Sequence, residues 1–175
     1  MKDTEKLKYP IGRYKVPESI DKQVIKEWIS QIALLPTDLR SLTVDLTEPD
    51  LEKTYRHDGW NVRQIVHHIA DSHSNSFIRF KWALTEETPT IKAYFEDRWA
   101  NLPDAIEAPI EISVDFIESL HKRWVFLLNK LTSEQLDRSF KHPESGRIIS
   151  LKWNLGLYAW HGRHHLEHIK LALQN

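Results

Sequence analysis

The stretch NVRQIVHHIADSHSNSFIRFKWAL, residues 61–84, decides the fold. Val62, Val66, Ile69, Ala70, Phe77, Phe80 and Leu84 recur mostly at three- and four-residue intervals, which gathers them on one side of an α-helix. Asn61 can cap the first turn, and Gln64, three residues on, can reach back to it; this reciprocal pattern opens helices. The other side of the helix is a polar stripe of Asn61, Gln64, His68, Ser72, Asn75 and Arg79. Such a stripe is either a solvated surface or the wall of a wet cleft between helices, and periodicity alone leaves both open.

Working outward, three more stretches carry the same period. Ile20, Val24, Trp28, Ile32 and Leu35 make an apolar face on a helix expected to follow Pro17, with Pro36 expected to kink or restart it. Phe116, Leu120, Trp124, Leu127 and Leu131 make the inward face of a helix over residues 113–131. A last helix runs from about Leu151 to Leu173. Thr132 and Gln135 form a second capping pair and predict a short helical start over residues 132–136. Residues 138–142 and 147–150 flank Pro143-Glu144-Ser145-Gly146 and read as a small hairpin. The Pro-bounded stretch 85–109, with Tyr94, Phe95 and Trp99, reads as an ordered loop with one helical turn at most. A loop that long inside a domain is usually functional or a covering flap. The expectation is an all-α protein: a four-helix bundle with a small hairpin and a long flap loop. No repeat, low-complexity run or linker divides the chain, so residues 1–175 read as a single domain.

Composition narrows the function. Hydrophobic residues make up 41% and charged residues 28% of the 175, which is globular. Lys plus Arg is 24 against 25 Asp plus Glu, a net charge of -1, so no basic surface invites nucleic acid. No apolar run approaches the roughly 18 residues of a membrane span. The opening Met1-Lys2-Asp3-Thr4-Glu5-Lys6 lacks the apolar stretch of a signal peptide. Cysteine is absent, which excludes disulfides, thiolate metal ligands and a sulfur nucleophile from the chain itself, and fits a cytoplasmic location. The unusual count is ten histidines.

Four of these lie on the last helix. At about 100° per residue, with His161 at zero, His165 falls at about 40°, His168 at about -20° and Asn154 at about 20°. His161 and His165, a turn apart, can reach one metal ion, as in zinc helices of the His-x-x-x-His kind. His164 lies off that face. On the helix of residues 61–84, His68 occupies the polar stripe, while His67 and His73 turn toward the apolar side and read as packed or hydrogen-bonded. His57, His121 and His142 stand alone and read as surface or core residues. If the stripe lines a cleft, His68 faces His161 and His165, and three imidazoles leave a coordination position open.

The motifs Trp60-Asn61-Val62-Arg63-Gln64-Ile65-Val66-His67-His68-Ile69-Ala70-Asp71 and Trp160-His161-Gly162-Arg163-His164-His165-Leu166-Glu167-His168-Ile169 resemble the two histidine helices of the DinB/YfiT-like superfamily. Tyr9-Pro10-Ile11-Gly12 and Tyr94-Phe95-Glu96-Asp97-Arg98-Trp99 resemble its YfiT branch. The resemblance implies a four-helix bundle, a homodimer, and one divalent ion per subunit held by His68, His161 and His165. It implies a metal-dependent hydrolase, or a transferase using a small cellular thiol such as bacillithiol. His168 falls where wider relatives often carry glutamine, beside the ligands rather than among them.

Imidazole donors suit zinc, and nickel also binds such sites. With zinc, water would supply hydroxide for hydrolysis of a small-molecule substrate; alternatively the open position would take a low-molecular-weight thiol. A non-catalytic metal-binding bundle is the third reading. Gly162 follows His161 where a zincin helix carries glutamate, which argues against protease chemistry. The catalytic candidates for proton transfer are Asp71 and His168, with Glu167 pointing away from the His161 face. Gly162 itself costs roughly 1 kcal/mol against alanine in mid-helix, and close approach of another helix or a ligand would explain it.

Overall fold

Four long helices form close to where the period of the sequence puts them. The computed structural model describes residues 4–174. Met1, Lys2 and Asp3, part of the opening read above for a leader, lie outside the described residues, as does Asn175. The order is α1 (Thr4–Lys8), α2 (Lys22–Thr43), α3 (Glu48–Leu51), α4 (Val62–Thr85), α5 (Glu96–Trp99), α6 (Pro103–Ile106), α7 (Ile110–Leu128), α8 (Ser133–Asp137), β1 (Ser139–Lys141), β2 (Ile148–Ser150) and α9 (Leu151–Leu173). The main packing pairs are α2 with α7 and α9, and α4 with α7 and α9. Going round the bundle, the long helices therefore run α2, α7, α4, α9. Among the described residues, no helix is long and apolar enough to cross a membrane.

Helix α4 opens as its sequence indicates. The Asn61 side chain accepts from the Gln64 N–H at 2.9 Å, and the Gln64 side chain accepts from the Asn61 N–H at 3.1 Å. Thr132 and Gln135 do the same at the start of α8. The hairpin forms, with Ser139, Phe140 and Lys141 opposite Ser150, Ile149 and Ile148. Its turn ends on Gly146 at φ +67°, a conformation that favours glycine.

Several boundaries differ from the sequence reading. Helix α2 starts at Lys22, not just after Pro17, because Asp21 accepts from the Gln23 and Val24 N–H groups at 2.8 and 2.9 Å and sets the first turn. It then continues through Pro36 to Thr43 without a restart. Helix α7 starts at Ile110, directly after Pro109, and ends at Leu128. Its buried side is Val114, Ile117, Leu120, Trp124 and Leu128, which leaves Phe116 48% exposed. The stretch 85–109 holds two short helices, α5 and α6, rather than one turn, and Thr90 bridges to Lys141 of the hairpin. Short helices α1 and α3 carry too few residues for a periodic signal.

The core consists of two apolar clusters. One gathers Leu35, Leu39, Val62, Ile65, Val66, Ile69, Val114, Ile117, Leu166 and Ile169. The other gathers Trp28, Ile32, Phe80, Trp124, Leu128, Phe140, Leu155 and Tyr158. On each of α4, α7 and α9 the residues between the two clusters include buried polar side chains: Ser72, His73 and Ser76, then His121, then His164 and His165. The bundle thus carries a polar layer between two apolar ones. Gly162 lies in this layer, and a Cβ there would come within 2.6 Å of Leu35 Cδ2. Close approach of α2 accounts for the glycine, as the sequence allowed.

Candidate metal centre

The packing of α4 on α9 brings His68 against His161 and His165. One ring nitrogen of each lies within 4.8 Å of the others, and His68 Nε2 is 3.3 Å from His161 Nε2. Two nitrogens at about 2.1 Å from a tetrahedral zinc ion stand roughly 3.4 Å apart, which the His68–His161 pair matches. Burial pushes the His68 imidazole down to about 4, and pushes His161 and His165 well below the usual histidine range, with neighbouring imidazoles adding to the effect. All three rings are therefore neutral at pH 7, the state in which an imidazole offers a lone pair. Three neutral nitrogens with no carboxylate among them fit a borderline divalent ion such as zinc or nickel better than magnesium or calcium. The structure brings together the three residues that the motifs indicated.

Other histidines back this set. His168 Nδ1 lies 3.4 Å from His165 Nδ1, and its Nε2 lies 3.2 Å from the Lys8 carbonyl oxygen. His168 therefore stands behind His165 and at the edge of the cleft. His73 Nε2 is 3.2 Å from His161 Nδ1, and His73 Nδ1 is 3.0 Å from His121 Nε2. His121 Nδ1 is 2.6 Å from the Ile32 carbonyl oxygen. His73 is hydrogen-bonded, as its position on α4 indicates. His121 is not the solitary residue that the sequence suggests. It lies 48 residues from His73 on another helix, so helical spacing could not pair them. His67 bonds Ser113 Oγ at 2.7 Å and the Ala108 carbonyl at 3.1 Å, away from the cleft. His57 is exposed beside Asp58.

Two cavities adjoin His161. One, of about 370 Å³, is walled by Trp60, Tyr9, Tyr55 and Trp160 and reaches all three clustered histidines. The other, of about 500 Å³, is bordered by Ser72, Arg79, Tyr94, His142 and Tyr158. Glu96 and Asp97, at the start of α5, border both. The long flap thus forms the partition at the site, and its two carboxylates are the functional candidates that the sequence reading passed over. The signal was their position in a Pro-bounded loop too long to be a plain connection. Desolvation and the adjacent Asp97 push the Glu96 carboxyl above the usual range.

The polar stripe of α4 is only partly the wall of a cleft. Ser72 and Arg79 face the larger cavity. Asn61 is occupied as a cap, Gln64 Nε2 donates to the Ala100 carbonyl at 2.8 Å, and Asn75 Nδ2 donates to the Asp71 carbonyl at 2.9 Å. Among the described residues, those lining the two cavities do not include Asp71. Its carboxyl is raised to about 6 by burial and by the charge of Asp104 on α6. Glu167 pairs with Lys170 at 2.7 Å.

Residues 31–169 match the DinB superfamily. A protein of Halalkalibacterium halodurans named "putative metal-dependent hydrolase" is 49% identical over 166 residues, covering 95% of this chain and 96% of its own. One of the same name from Oceanobacillus iheyensis is 52% identical over 162 residues, covering 93% of each. YfiT from Bacillus subtilis, described as "a probable metal-dependent hydrolase with an unusual four-helix bundle topology", shares the fold at a TM-score of 0.93 and 46% identity, over 97% of both chains. The family match spans both histidine-bearing helices, and the chain belongs to the DinB superfamily.

Proposed function

We propose that this protein hydrolyses a small-molecule substrate with one divalent ion, zinc, held by His68, His161 and His165. The observation that carries the reading is the convergence of three neutral imidazoles, His68 and His165 buried and His161 half-buried, at a spacing that suits one ion. When bound, such an ion supplies Lewis acidity and a nucleophile drawn from water near neutral pH.

The chain's own residues supply the rest. His168 braces His165 from behind and, through the Lys8 carbonyl, ties the amino-terminal segment to the site. Trp60 packs its ring against His68 at 4.6 Å and shields that side from bulk water. The cavity walls of Tyr9, Tyr55 and Trp160 orient an apolar or aromatic part of the substrate by packing. Glu96, with its carboxyl raised and its place beside both cavities, is suited to take a proton from the nucleophile and return it to the leaving group. Arg79 at the larger cavity can hold an anionic part of the substrate.

The test is metal analysis of the purified protein, followed by a panel of esters and amides assayed with and without a small thiol such as bacillithiol. Metal-dependent cleavage in the absence of thiol, lost in His161→Ala and reduced in Glu96→Gln, is the expected result. Turnover that requires the thiol and transfers it to the substrate would replace hydrolysis with thiol S-transfer. Metal retained in full by His161→Ala would overturn the ligand set.

A further inference from the structure

Helix α2 contains Pro36, which has no N–H to donate to the carbonyl four residues back. That carbonyl belongs to Ile32, and it is left without its helical partner in the middle of the bundle. His121 Nδ1 stands 2.6 Å from it. A carbonyl oxygen only accepts, so His121 carries its hydrogen on Nδ1. A neutral imidazole has a single N–H, so His121 Nε2 accepts, and its partner 3.0 Å away, His73 Nδ1, donates. His73 Nε2 is then an acceptor, and His161 Nδ1, 3.2 Å away, donates to it. His161 Nε2 is left with a lone pair, and this is the atom that faces His68. The opposite polarity would set the His121 Nδ1 lone pair against the Ile32 oxygen at 2.6 Å with no hydrogen between them. His73 and His121 are 0% and 1% exposed, so no bulk water can relieve that arrangement.

We propose that His73 and His121 are positioning residues that, anchored on the carbonyl freed by Pro36, lock His161 in the tautomer whose Nε2 is available to a metal ion. The inference rests on the metal reading above for its purpose, but the chain of hydrogen bonds stands without it. It links an irregularity of α2 to a ligand on α9 through side chains of α7 and α4. Histidine ligands held by a second hydrogen-bonding group are oriented and made more basic by it, and loss of such a group typically lowers metal affinity about 10–100-fold.

The experiment has two readouts. In metal-free protein at pH 7.5, long-range proton–nitrogen correlation spectra of 15N-labelled histidines, assigned with single His→Gln variants, report each tautomer. The expected pattern is hydrogen on Nδ1 for His121, His73 and His161; hydrogen on His161 Nε2 overturns the proposal. Zinc affinity, measured by competition with a chromophoric chelator, should fall about 10–100-fold in His121→Leu. His121→Gln should recover most of that loss, because its amide can donate to Ile32 and accept from His73. Equal affinities in wild type and a folded His121→Leu, or a Gln variant as weak as the Leu variant, would also overturn it. If His121→Leu does not fold, the spectra and the Gln variant still decide. Wild type that binds no zinc but shows the expected tautomers would refute the metal reading and leave the hydrogen-bond chain in place.

Discussion

Acidification of the metal-free protein should unfold it along a slope set by its buried histidines. Burial pushes His68, His121 and His168 down to about 4 in the folded chain, and these three residues are 5%, 1% and 3% exposed. In the unfolded chain they take up protons below about 6.5. Between about 6.5 and about 4 the unfolded state binds protons that the folded state refuses, so each histidine removes about 1.4 kcal/mol of stability per pH unit. These three alone remove about 4 kcal/mol per unit, and His67, His73, His161, His164 and His165, all pushed down by burial, add to it. Asp71, raised to about 6, works the other way below that pH, because the folded state then holds a proton that the unfolded state releases. Its contribution is at most about 1.4 kcal/mol per unit, reduced by contact with solvent. The net slope is therefore no less than about 3 kcal/mol per pH unit, set against a total of about 5–15 kcal/mol for a typical domain. Stability should be level above pH 6.5 and fall steeply from there toward pH 4.5. Urea unfolding followed by circular dichroism, at half-unit pH steps in the presence of a chelator, measures this directly. His121→Leu should lower the slope by about 1.4 kcal/mol per unit. Stability that is level or rising from pH 6.5 to 5, or a slope untouched by His121→Leu, would refute the reasoning.

Replacement of His68, His161 or His165 by alanine should each abolish stoichiometric metal binding, read by elemental analysis, while His57→Ala, on an exposed side chain, should leave it intact. Zinc affinity should hold between pH 8 and 6, since burial keeps the His68 ring neutral there; a calorimetric titration that shows affinity decaying around pH 6.5 would contradict this. Gly162→Val should destabilise the protein by about 1–3 kcal/mol in chemical denaturation, because its side chain meets Leu35, and Leu35→Ala in the same chain should recover part of the loss. Metal at about a hundredfold over its dissociation constant should add about 2.7 kcal/mol of stability, with little change in helix content on removal, because the two apolar clusters do not include the histidines.

The four long helices and the His161–His165 pair were legible because short-range spacing carries both, while His68, 93 residues from His161, was joined to the pair only by the resemblance of the two motifs. The periods of α4 and α9, the Asn61–Gln64 cap and the His161–His165 pair all lie within a few residues of one another. What was not legible depends on contacts between distant parts of the chain. Pro36 read as a kink or restart, since its local cost is plain; the His121 ring that satisfies the abandoned carbonyl comes from α7. Phe116 read as inward because apolar spacing cannot tell two overlapping stripes apart, and Val114 and Ile117 took the core instead. The stripe holding Asn61, Gln64 and Asn75 left solvated surface and cleft wall both open, and the hydrogen bonds of these three go to caps and backbone carbonyls. Glu96 and Asp97 were hidden for a similar reason: a flap has no period, and only its docking shows which side chains it carries to the site.

The division of the core into two apolar clusters with a histidine-bearing polar layer between them separates cohesion from polar chemistry. The clusters clamp the helices at both ends, so the layer they enclose need contribute little cohesion of its own. Side chains in that layer can be exchanged for others of similar size and hydrogen-bonding capacity while the clamps keep the four backbones in register. A bundle built in this way is a chassis with an interchangeable reactive slice. Changes of chemistry would collect within a few turns at mid-height, and changes that tune melting temperature would collect toward the ends.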